Sequence, residues 1–385
     1  MKIISLSYTD RSSDWTLNKV EFKNSTLLVG ASGVGKTRIL NLIVALKKLI
    51  HQKEQIPNEF ENAKWEIQVS INEVIYTWVG ETKFNENNRF FPNEIEARVS
   101  NKNKESYFYF EKLTYQKNNG FPEIVFERTN QGLNFLGNIN VPKVAANKSL
   151  IDIFSEEELI TPVFNGFAYI IDFSFDVERN YKVKLSTDLP KKRVEFLNEF
   201  SFEMIKSIDI NIIEKLTMAY YYFKNIFDEI KKDFIDIFDF VQDVRMEPTK
   251  EDSNVLELQI EEENGKWISS DRMSSGMLKT LYLISLNYLS SEHSIILIDE
   301  FENSLGINCI DIIAQNNGSG SQYIITSHHP YVINKISMSH WKIVSRNRNQ
   351  VVVKDAASYK LGKSKHEAFK QLLNLDAFTE GYDRQ

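Results

Sequence analysis

The residues best suited to chemistry form a glycine-rich loop near the start of the sequence. They match the pattern G-x-x-x-x-G-K-[ST] and are Gly30, Ala31, Ser32, Gly33, Val34, Gly35, Lys36 and Thr37. Glycines allow successive backbone N–H groups to face one anion, and a helix that starts after the loop adds the positive end of its dipole. In such a loop Lys36 neutralises the β- and γ-phosphates, and the Thr37 hydroxyl ligates Mg²⁺. The pattern therefore predicts a site for a nucleoside triphosphate with Mg²⁺.

Two adjacent carboxylates lie far along the chain, at the end of a short apolar run. The run Ile295–Ile298 is typical of a central strand, and Asp299 and Glu300 follow it directly. Ligands of open α/β sheets bind outside the carboxyl ends of the strands. Acids at a strand end are often only solvated, but together with a phosphate loop they indicate a catalytic pair. We expect Asp299 to hold Mg²⁺ and Glu300 to polarise the attacking water as a general base.

A third segment stands just before an apolar helix that is predicted over Met277–Leu289. It consists of Ser274, Ser275 and Gly276. Hydroxyl and N–H groups at a helix N-terminus can face an anion. Serine also caps helices routinely, and for the segment taken alone this structural role is the better interpretation. Its position, one helix and one turn before the two acids, matches the order and approximate spacing in the ABC-type ATPases that the segment resembles, and this resemblance favours the contact with an anion.

These groups need a scaffold, and the hydrophobic pattern supplies alternating strands and helices. The predicted strands and hairpins are Lys2–Tyr8, Thr26–Val29, residues 65–80 with a turn at Asn72-Glu73, Val255–Ile260, Ile295–Ile298, Tyr323–Thr326, and Trp341–Ser345 with Val351–Lys354. Helices are predicted from Thr37 to about Ile50, near Ile307–Ala314, and from about Lys365 to Leu373. The alternation predicts an α/β fold with a mixed sheet wrapped by helices.

The middle of the chain differs from its two ends in its sequence pattern. Residues 1–80 and 251–385 are expected to form a nucleotide-binding domain, with residues 81–250 as an inserted lobe. This lobe is predicted to be irregular and β-containing over 81–180 and helical over 190–245. Its aromatic run Tyr220–Phe223 could stack on nucleic-acid bases, but apolar neighbours at helical spacing favour a packed core. The short basic run Lys191–Arg193 is typical of a solvated helix face.

Composition narrows the class of protein. The 385 residues carry a formal net charge of −7, which argues against a protein that coats nucleic acid, although a local contact with DNA stays open. Cys309 is the single cysteine, so an internal disulfide is excluded, and we predict it to lie in a helical core. The sequence shows neither a signal peptide nor an apolar run long enough to span a bilayer. We therefore expect a soluble, cytoplasmic protein without a membrane partner.

The three segments together resemble those of ABC-type ATPases. Ser274-Ser275-Gly276 is similar to the signature of this family, in the variant form found in its non-transport branch, which includes RecF, the SMC-like repair ATPases and the overcoming-lysogenisation-defect ATPases. The resemblance covers about residues 1–80 and 255–373. It implies ATP and Mg²⁺ as ligands and a homodimer or higher oligomer. It also implies that the signature contacts the γ-phosphate bound by the opposite subunit.

Further positions of the family can be matched to this sequence. In Ile324–Pro330, a strand followed by two histidines, the resemblance assigns to His328 the role of a switch that senses the γ-phosphate. A metal site is the alternative for such a pair, but a third ligand is not evident nearby. Glu302–Gly306 takes the place of the D-loop, and Phe301 and Gly306 depart from the family pattern. Gln68 is a weak candidate for the Q-loop glutamine.

Three functions compete for this chain. The first is a non-transport ATPase that acts as a sensor or scaffold in an anti-phage defence or DNA-maintenance complex, with a separate effector, a nuclease or toxin, encoded nearby. The second is the ATPase subunit of a transporter, which is disfavoured because Ser274 follows Thr37 by 237 residues, whereas transporter subunits bring the two segments much closer. The third is a repair clamp that acts directly on DNA. Residues 190–245 lack the sustained heptads of the long coiled coils found in such clamps, so the first function is favoured.

Overall fold

The computed structural model describes most of the chain. The described residues are 1–51, 56–84, 106–117, 120–137, 143–173, 183–184, 201–250, 252, 254–303, 305, 320–362 and 364–382. The predictions for Lys191–Arg193, for Ser304 and Gly306 of the D-loop, for Cys309 and for the helix 307–314 lie outside these residues. The chain divides into two compact units, Met1–Ile170 with Ser337–Gln385, and Ile171–Ile336.

Both strands and helices are abundant in the described part of the chain. The strands are β1 (Lys2–Asp10), β2 (Trp15–Glu21), β3 (Ser25–Val29), β4 (Ala63–Ile71), β5 (Val74–Phe84), β6 (Ser106–Lys117), β7 (Glu123–Thr129), β8 (Gly132–Phe135), β9 (Ile170–Phe173), β10 (Val183–Lys184), β11 (Val241–Pro248), β12 (Val255–Glu262), β13 (Trp267–Ser269), β14 (Ile295–Ile298), β15 (Gln322–Ser327), β16 (Trp341–Asn347) and β17 (Gln350–Asp355). The helices are α1 (Lys36–His51), α2 (Leu150–Ile153), α3 (Thr161–Ala168), α4 (Phe202–Ser207), α5 (Ile212–Tyr222), α6 (Lys224–Ile235), α7 (Ser275–Leu289), α8 (Pro330–Lys335), α9 (Lys365–Leu372) and α10 (Asp376–Thr379). The predicted α/β class with a mixed sheet is confirmed.

In the first unit the strands lie side by side in the order β8-β7-β6-β5-β4-β1-β2-β17-β16-β3. Strand β3 pairs parallel to β16, and β17 pairs parallel to β2, whereas the run from β2 to β8 is antiparallel. The predicted hairpin over 65–80 is present, with Asn72 and Glu73 at φ +48° and +66°. Both values belong to the left-handed region that a two-residue hairpin turn requires.

The segment after residue 80 contains strands, as predicted, but where it is described these strands are regular rather than irregular. Strand β5 continues to Phe84, and β6, β7 and β8 extend the same sheet rather than forming separate irregular pieces. Long strands gain from this pairing because each new ladder satisfies backbone groups and buries one face. The division of the chain into a nucleotide-binding domain and an inserted lobe stays a prediction.

The core of the first unit contains a cluster of aromatic rings among aliphatic side chains. The Trp65 ring meets Trp78 edge to face at 5.4 Å between centroids, and it meets Phe60 in the same way at 4.8 Å. Edge-to-face pairs of this kind add about 0.5–1.5 kcal/mol to the burial of their area. Helix α1 buries the apolar face predicted from the sequence, including Ile39 and Ile43.

The second unit contains a small parallel pair, β14 and β15, which aligns Ile298 with Ile325. Helix α7 is buried along most of its length and packs against α5 and α6. A separate antiparallel sheet has the order β10-β12-β11, with β13 also paired to β12. Residues 241–245, predicted to be helical, belong to strand β11. In the predicted packed run of aromatics, Tyr222 is buried, and the half-buried Tyr220 ring contacts Phe227 at 5.0 Å.

Within the described ranges, no helix is long and apolar enough to cross a membrane.

Candidate phosphate loop and catalytic segments

The predicted phosphate loop connects a buried strand to a long helix in the first unit. Strand β3 is buried at all five positions and ends at Val29, and α1 begins at Lys36. At Gly30 a Cβ atom would lie 2.4 Å from the carbonyl oxygen of Val344, so only glycine permits this close approach. Gly33 and Gly35 have φ values of +79° and +109°. The sequence context that the motif requires, a strand before it and a helix after it, is therefore present.

Lys36 lies inside the structure rather than in solvent. Its side chain is 9% exposed, and Nζ donates to the carbonyl oxygens of Gly30 and Ala31, both at 2.8 Å. The ammonium is thus held at the start of the loop, while Ser32 and Thr37 are exposed. The first turn of α1 carries no acidic side chain, so the positive end of its dipole is not offset there. These features suit a polyphosphate anion.

In the second unit, Thr326 of β15 links the two predicted acids. Its Oγ1 donates to Oδ1 of Asp299 and accepts the backbone N–H of Glu300 at 2.8 Å. The carbonyl of Thr326 also accepts the N–H of Phe301 at 3.1 Å. Glu300 has φ +43°, an uncommon value for a residue with a side chain. The neighbouring strand therefore fixes both the carboxylate of Asp299 and the unusual backbone turn at Glu300.

His328 contacts a carboxylate that follows the two acids. Its Nδ1 lies 3.1 Å from Oε1 of Glu302, and its backbone N–H donates to the same oxygen at 3.0 Å. The His328 side chain is 50% exposed, whereas that of Glu302 is 9% exposed. The buried Oε2 of Glu302 has no hydrogen-bond partner within the part of the chain described here.

The second histidine has a structural contact of its own. His329 is the N-cap of α8, and its Nδ1 accepts the N–H of Tyr331 at 3.2 Å. That nitrogen is therefore occupied by a backbone group. Among the described residues, no group of three or more His, Cys, Asp and Glu side chains could hold a metal ion. The choice of His328 as the phosphate-sensing residue stays a prediction.

The signature-like segment begins helix α7. Ser274 is its N-cap, and Oγ accepts the N–H of Met277 at 3.2 Å. The capping role considered from the sequence is thus observed. A hydroxyl that accepts one bond still has a proton to donate, so capping does not prevent contact with an anion. Ser274 is exposed, and Ser275 and Gly276 are half-buried.

Gln68 does not lie in a loop. It is in the middle of β4, opposite Thr77 of β5, and its Oε1 accepts the Ser5 hydroxyl at 3.2 Å. Its Nε2 donates to Thr77 Oγ1 at 3.4 Å. The Q-loop interpretation of Gln68 is therefore wrong. Gln68 lies within a strand, and its side chain bonds to residues of the two neighbouring strands.

Comparison with known proteins bears on the second unit. Residues 174–334, somewhat under half of the chain, match the family described as "AAA domain, putative AbiEii toxin, Type IV TA system". The matched range includes Ser274, Asp299, Glu300 and His328. The predicted resemblance to ABC-type ATPases is confirmed.

Solved structures of SMC heads are also similar to this chain. An Smc head bound to the C-winged helix domain of ScpA has 16% identity and a TM-score of 0.44, with 92% of this chain and 97% of that chain covered. A Pyrococcus furiosus Smc head with an extended coiled coil, bound to the C-terminal domain of ScpA, has 14% identity and a TM-score of 0.47, with 93% and 98% covered. The Thermotoga maritima SMC head has 15% identity and a TM-score of 0.43, with 92% and 99% covered. No curated protein sequence matches the chain.

Three residues that contact the predicted site were not identified as such contacts from the sequence. They are Thr326, Lys279 and, as a partner of His328, Glu302. The sequence contains a signal for Thr326 and Glu302. Both lie near the carboxyl ends of predicted strands, β15 and β14, and the carboxyl ends of parallel strands meet at one edge of a sheet. For Lys279 the only signal is a lysine among the apolar residues of α7.

Proposed function

We propose that this protein binds Mg²⁺-ATP and hydrolyses it in composite sites formed between two copies of the chain. The observation that carries the proposal is the phosphate loop. A buried strand, a turn that only glycine permits at Gly30, a lysine held at the loop and the start of α1 occur together in that order. Such a loop binds a polyphosphate through backbone N–H groups, the ammonium and the helix dipole.

The two adjacent acids, Asp299 and Glu300, would have different roles. The Thr37 hydroxyl and the Asp299 carboxylate would hold Mg²⁺, and the hydrogen bond from Thr326 keeps the Asp299 carboxylate in one orientation. Bound Mg²⁺ supplies positive charge that offsets the charge of the phosphates. Glu300 orients a water molecule and accepts its proton as the water oxygen attacks the γ-phosphorus. ADP and inorganic phosphate are the products.

His328 would report the state of the γ-phosphate. The contact of Nδ1 with Glu302 leaves Nε2 as the ring nitrogen for a phosphate oxygen. Since half of the side chain is exposed, a ligand can reach it. Loss of the phosphate would remove this contact and release the segment that carries Glu302.

The composite arrangement is supported by the N-terminus of α7. Its hydroxyl and N–H groups at Ser274, Ser275 and Gly276 are accessible, and the first turn of the helix has no acidic side chain. These are the groups that bind an anion at a helix N-terminus. The resemblance to ABC-type ATPases implies that these groups contact the nucleotide bound by the opposite subunit. We therefore propose a homodimer or a higher oligomer that is stabilised by ATP.

In the cell, we propose, the ATPase is a cytoplasmic sensor or scaffold in an anti-phage defence or DNA-maintenance complex. Support comes from the matched family, whose description refers to an AbiEii toxin and a type IV toxin–antitoxin system. A separate protein encoded nearby, a nuclease or toxin, would be the effector. Native mass spectrometry of the chain co-expressed with the products of adjacent genes tests this part. A defined complex that ATP strengthens or releases is expected, and a chain that stays alone with and without ATP would contradict it.

The enzymatic part is tested with two variants and two matched controls. Lys36→Ala should lose nucleotide binding, whereas Lys48→Ala, an exposed position on the same helix, should not. Glu300→Gln should retain ATP binding and lose hydrolysis, whereas Glu263→Gln, also exposed, should hydrolyse normally. A folded Lys36→Ala protein with full activity would overturn the proposal. ATPase activity that depends on added DNA would favour a DNA clamp instead.

A further inference from the structure

A buried lysine on α7 connects this helix to the segment that carries the acids. Lys279 is 2% exposed, and it lies between apolar residues of α7. Its Nζ donates to three backbone carbonyl oxygens, those of Asn303 at 2.8 Å, Phe301 at 3.1 Å and Glu300 at 3.3 Å. Both elements belong to the second unit.

These contacts suit the chemistry of the side chain. An ammonium group has three N–H donors, and burial of such a charge is costly unless the donors find acceptors. Three carbonyl oxygens that converge on one point require the chain from Glu300 to Asn303 to curl around the ammonium. The left-handed backbone at Glu300, φ +43°, is part of this curl, and Asn303 N–H closes it with a bond to Glu300 O at 2.8 Å.

The same segment is held from its other side by β15. Thr326 accepts the N–H of Glu300 and, through its carbonyl, that of Phe301. Thr326 thus binds N–H groups and Lys279 binds carbonyl groups of the same two residues. Without the ammonium, the carbonyl side of the curl would lose its shared contact, and the uncommon φ of Glu300 would lose part of what maintains it.

Lys279 also lies close to the signature-like segment along the helix. It is five residues from Ser274, which corresponds to about 7.5 Å along an α-helix. Helix α7 is continuous between them, so a displacement of its N-terminus carries Lys279 with it.

We propose that Lys279 is a positioning residue for hydrolysis, and this inference rests on the proposed role of Glu300. The ammonium sets the backbone of residues 300–303 and therefore the direction of the Glu300 carboxylate. It also couples that carboxylate to the N-terminus of α7, so that an anion bound at Ser274 and the general base move together. Lys279 itself does not contact the substrate.

Lys215 provides a matched control. It is also buried, at 4% exposure, and its Nζ donates to the carbonyl oxygens of Lys206 at 2.7 Å and Leu289 at 3.4 Å, away from the acids. Methionine replaces either lysine with a side chain of similar length that has no donor. Both variants lose a buried ammonium and its carbonyl contacts. Only Lys279→Met should disturb the segment that carries Glu300.

The test compares single-turnover hydrolysis and ATP affinity of the full chain. For Lys279→Met the rate should fall on the order of 100-fold, the effect of misplacing a reacting group by about 1 Å, with the ATP Kd unchanged. Lys279→Gln, which keeps a shorter donor, should be intermediate. Lys215→Met should bind and hydrolyse ATP as the wild type does. In the double variant Lys279→Met/Glu300→Gln, the rate should be that of Glu300→Gln alone, because both changes affect one step.

The outcomes separate this inference from the proposed function. If Lys36→Ala is inactive while folded Lys279→Met hydrolyses at the wild-type rate, the role of Lys279 is wrong and the ATPase proposal stands. A rate loss of equal size in Lys215→Met would also overturn it, because the effect would then be one of general stability. If Lys279→Met does not fold, Lys279→Gln decides, and a wild-type rate in that variant contradicts the proposal. An inactive wild-type protein would overturn the proposed function instead.

Discussion

Oε1 of Glu302 accepts the backbone N–H of His328 at 3.0 Å and lies 3.1 Å from the ring nitrogen Nδ1 of the same residue. One carboxylate therefore fixes both the backbone and the ring of the histidine that was matched to the phosphate-sensing position. Glu302 is itself part of a turn, in which Leu305 N–H bonds to Glu302 O at 3.0 Å. Any change in the contact of His328 with a phosphate would thus reach the turn that follows the acids.

Replacement of Glu302 by glutamine tests this relationship. The amide oxygen can still accept the backbone N–H of His328, but the charge beside the ring is lost. We expect kcat for ATP to fall about 10-fold, the lower end of the effect of removing the partner that orients a functional histidine, with KM nearly unchanged. Steady-state kinetics measure both, and Glu263→Gln is the control at an exposed glutamate. A change in KM alone would place Glu302 in substrate binding instead.

Thr326→Val removes the hydroxyl that connects the two acids while the shape of the side chain is kept. Asp299 loses a donor, and the N–H of Glu300 loses an acceptor. We expect the Mg²⁺ concentration for half-maximal ATPase activity to rise about 10-fold, since outer partners orient the groups that hold a metal. The free energy of unfolding should fall by about 1–3 kcal/mol.

Thr326→Ser is the matched control, because it keeps the hydroxyl and loses only a methyl group. Its Mg²⁺ requirement should stay close to that of the wild type. Equal Mg²⁺ requirements in the valine and serine variants would mean that the hydroxyl does not orient Asp299 in the active protein. Magnesium titrations of activity and denaturant unfolding provide the two measurements.

Much of this arrangement could be predicted from local patterns. The run Ile295–Ile298 and the segment around Gly30 correctly predicted a strand and a strand–loop–helix segment, because apolar runs and glycine spacing are local signals. The strand over 241–248 was missed although Val244 and Met246, both buried, alternate with more exposed residues. The predicted helical region over 190–245 therefore extends too far, because the period-2 alternation from Val241 onward is typical of a strand.

Contacts between residues far apart in the sequence could not be predicted from local patterns. Pairing of β5 with β6 joins residues such as Trp78 and Leu113 across a long intervening segment, so neither strand alone indicates its neighbour. The contact of Lys279 with Asn303 likewise depends on how α7 packs beside the end of β14. A lysine within an apolar helix is compatible with many partners, and only the packed structure selects one.

Gly381 lies against Val34 and Ala31 of the predicted phosphate loop, and Gly381→Ala tests the importance of this contact. Its φ is +77°, and a Cβ would lie 2.7 Å from Cγ1 of Val34. Overpacking of this kind costs about 1–3 kcal/mol, and we expect part of it to displace the loop. The ATP Kd should therefore rise by about 10-fold, or 1.4 kcal/mol.

Gly137→Ala controls for the backbone cost of this change. Gly137 has a similar φ of +80°, but a Cβ there would meet nothing within 4 Å. Both variants should lose comparable stability from the left-handed backbone, and only Gly381→Ala should bind ATP more weakly. Calorimetric titration with ATP distinguishes them. Equal ATP affinities of the two variants would contradict the prediction, because they would show that steric overlap with Val34 does not disturb ATP binding.

The composite site is the central claim, and mixing of two defective chains tests it most directly. Lys36→Ala removes the ammonium at the phosphate loop, while Ser274→Arg blocks the N-terminus of α7 with bulk and positive charge. Each homodimer lacks one half of both sites. In a mixed dimer, one site has an intact loop opposite an intact α7 N-terminus, and the other site has neither. Cross-linking first establishes that mixed dimers form.

The decisive measurement is the ATPase rate of the cross-linked mixture relative to each variant alone. We predict that both variants alone are inactive and that mixing restores hydrolysis in the mixed dimers. If Ser274→Arg alone keeps the wild-type rate, the α7 N-terminus does not serve a nucleotide and the site is complete within one chain. If mixed dimers form and stay inactive although each variant alone is inactive, one intact pair of halves is not sufficient, which contradicts independent composite sites.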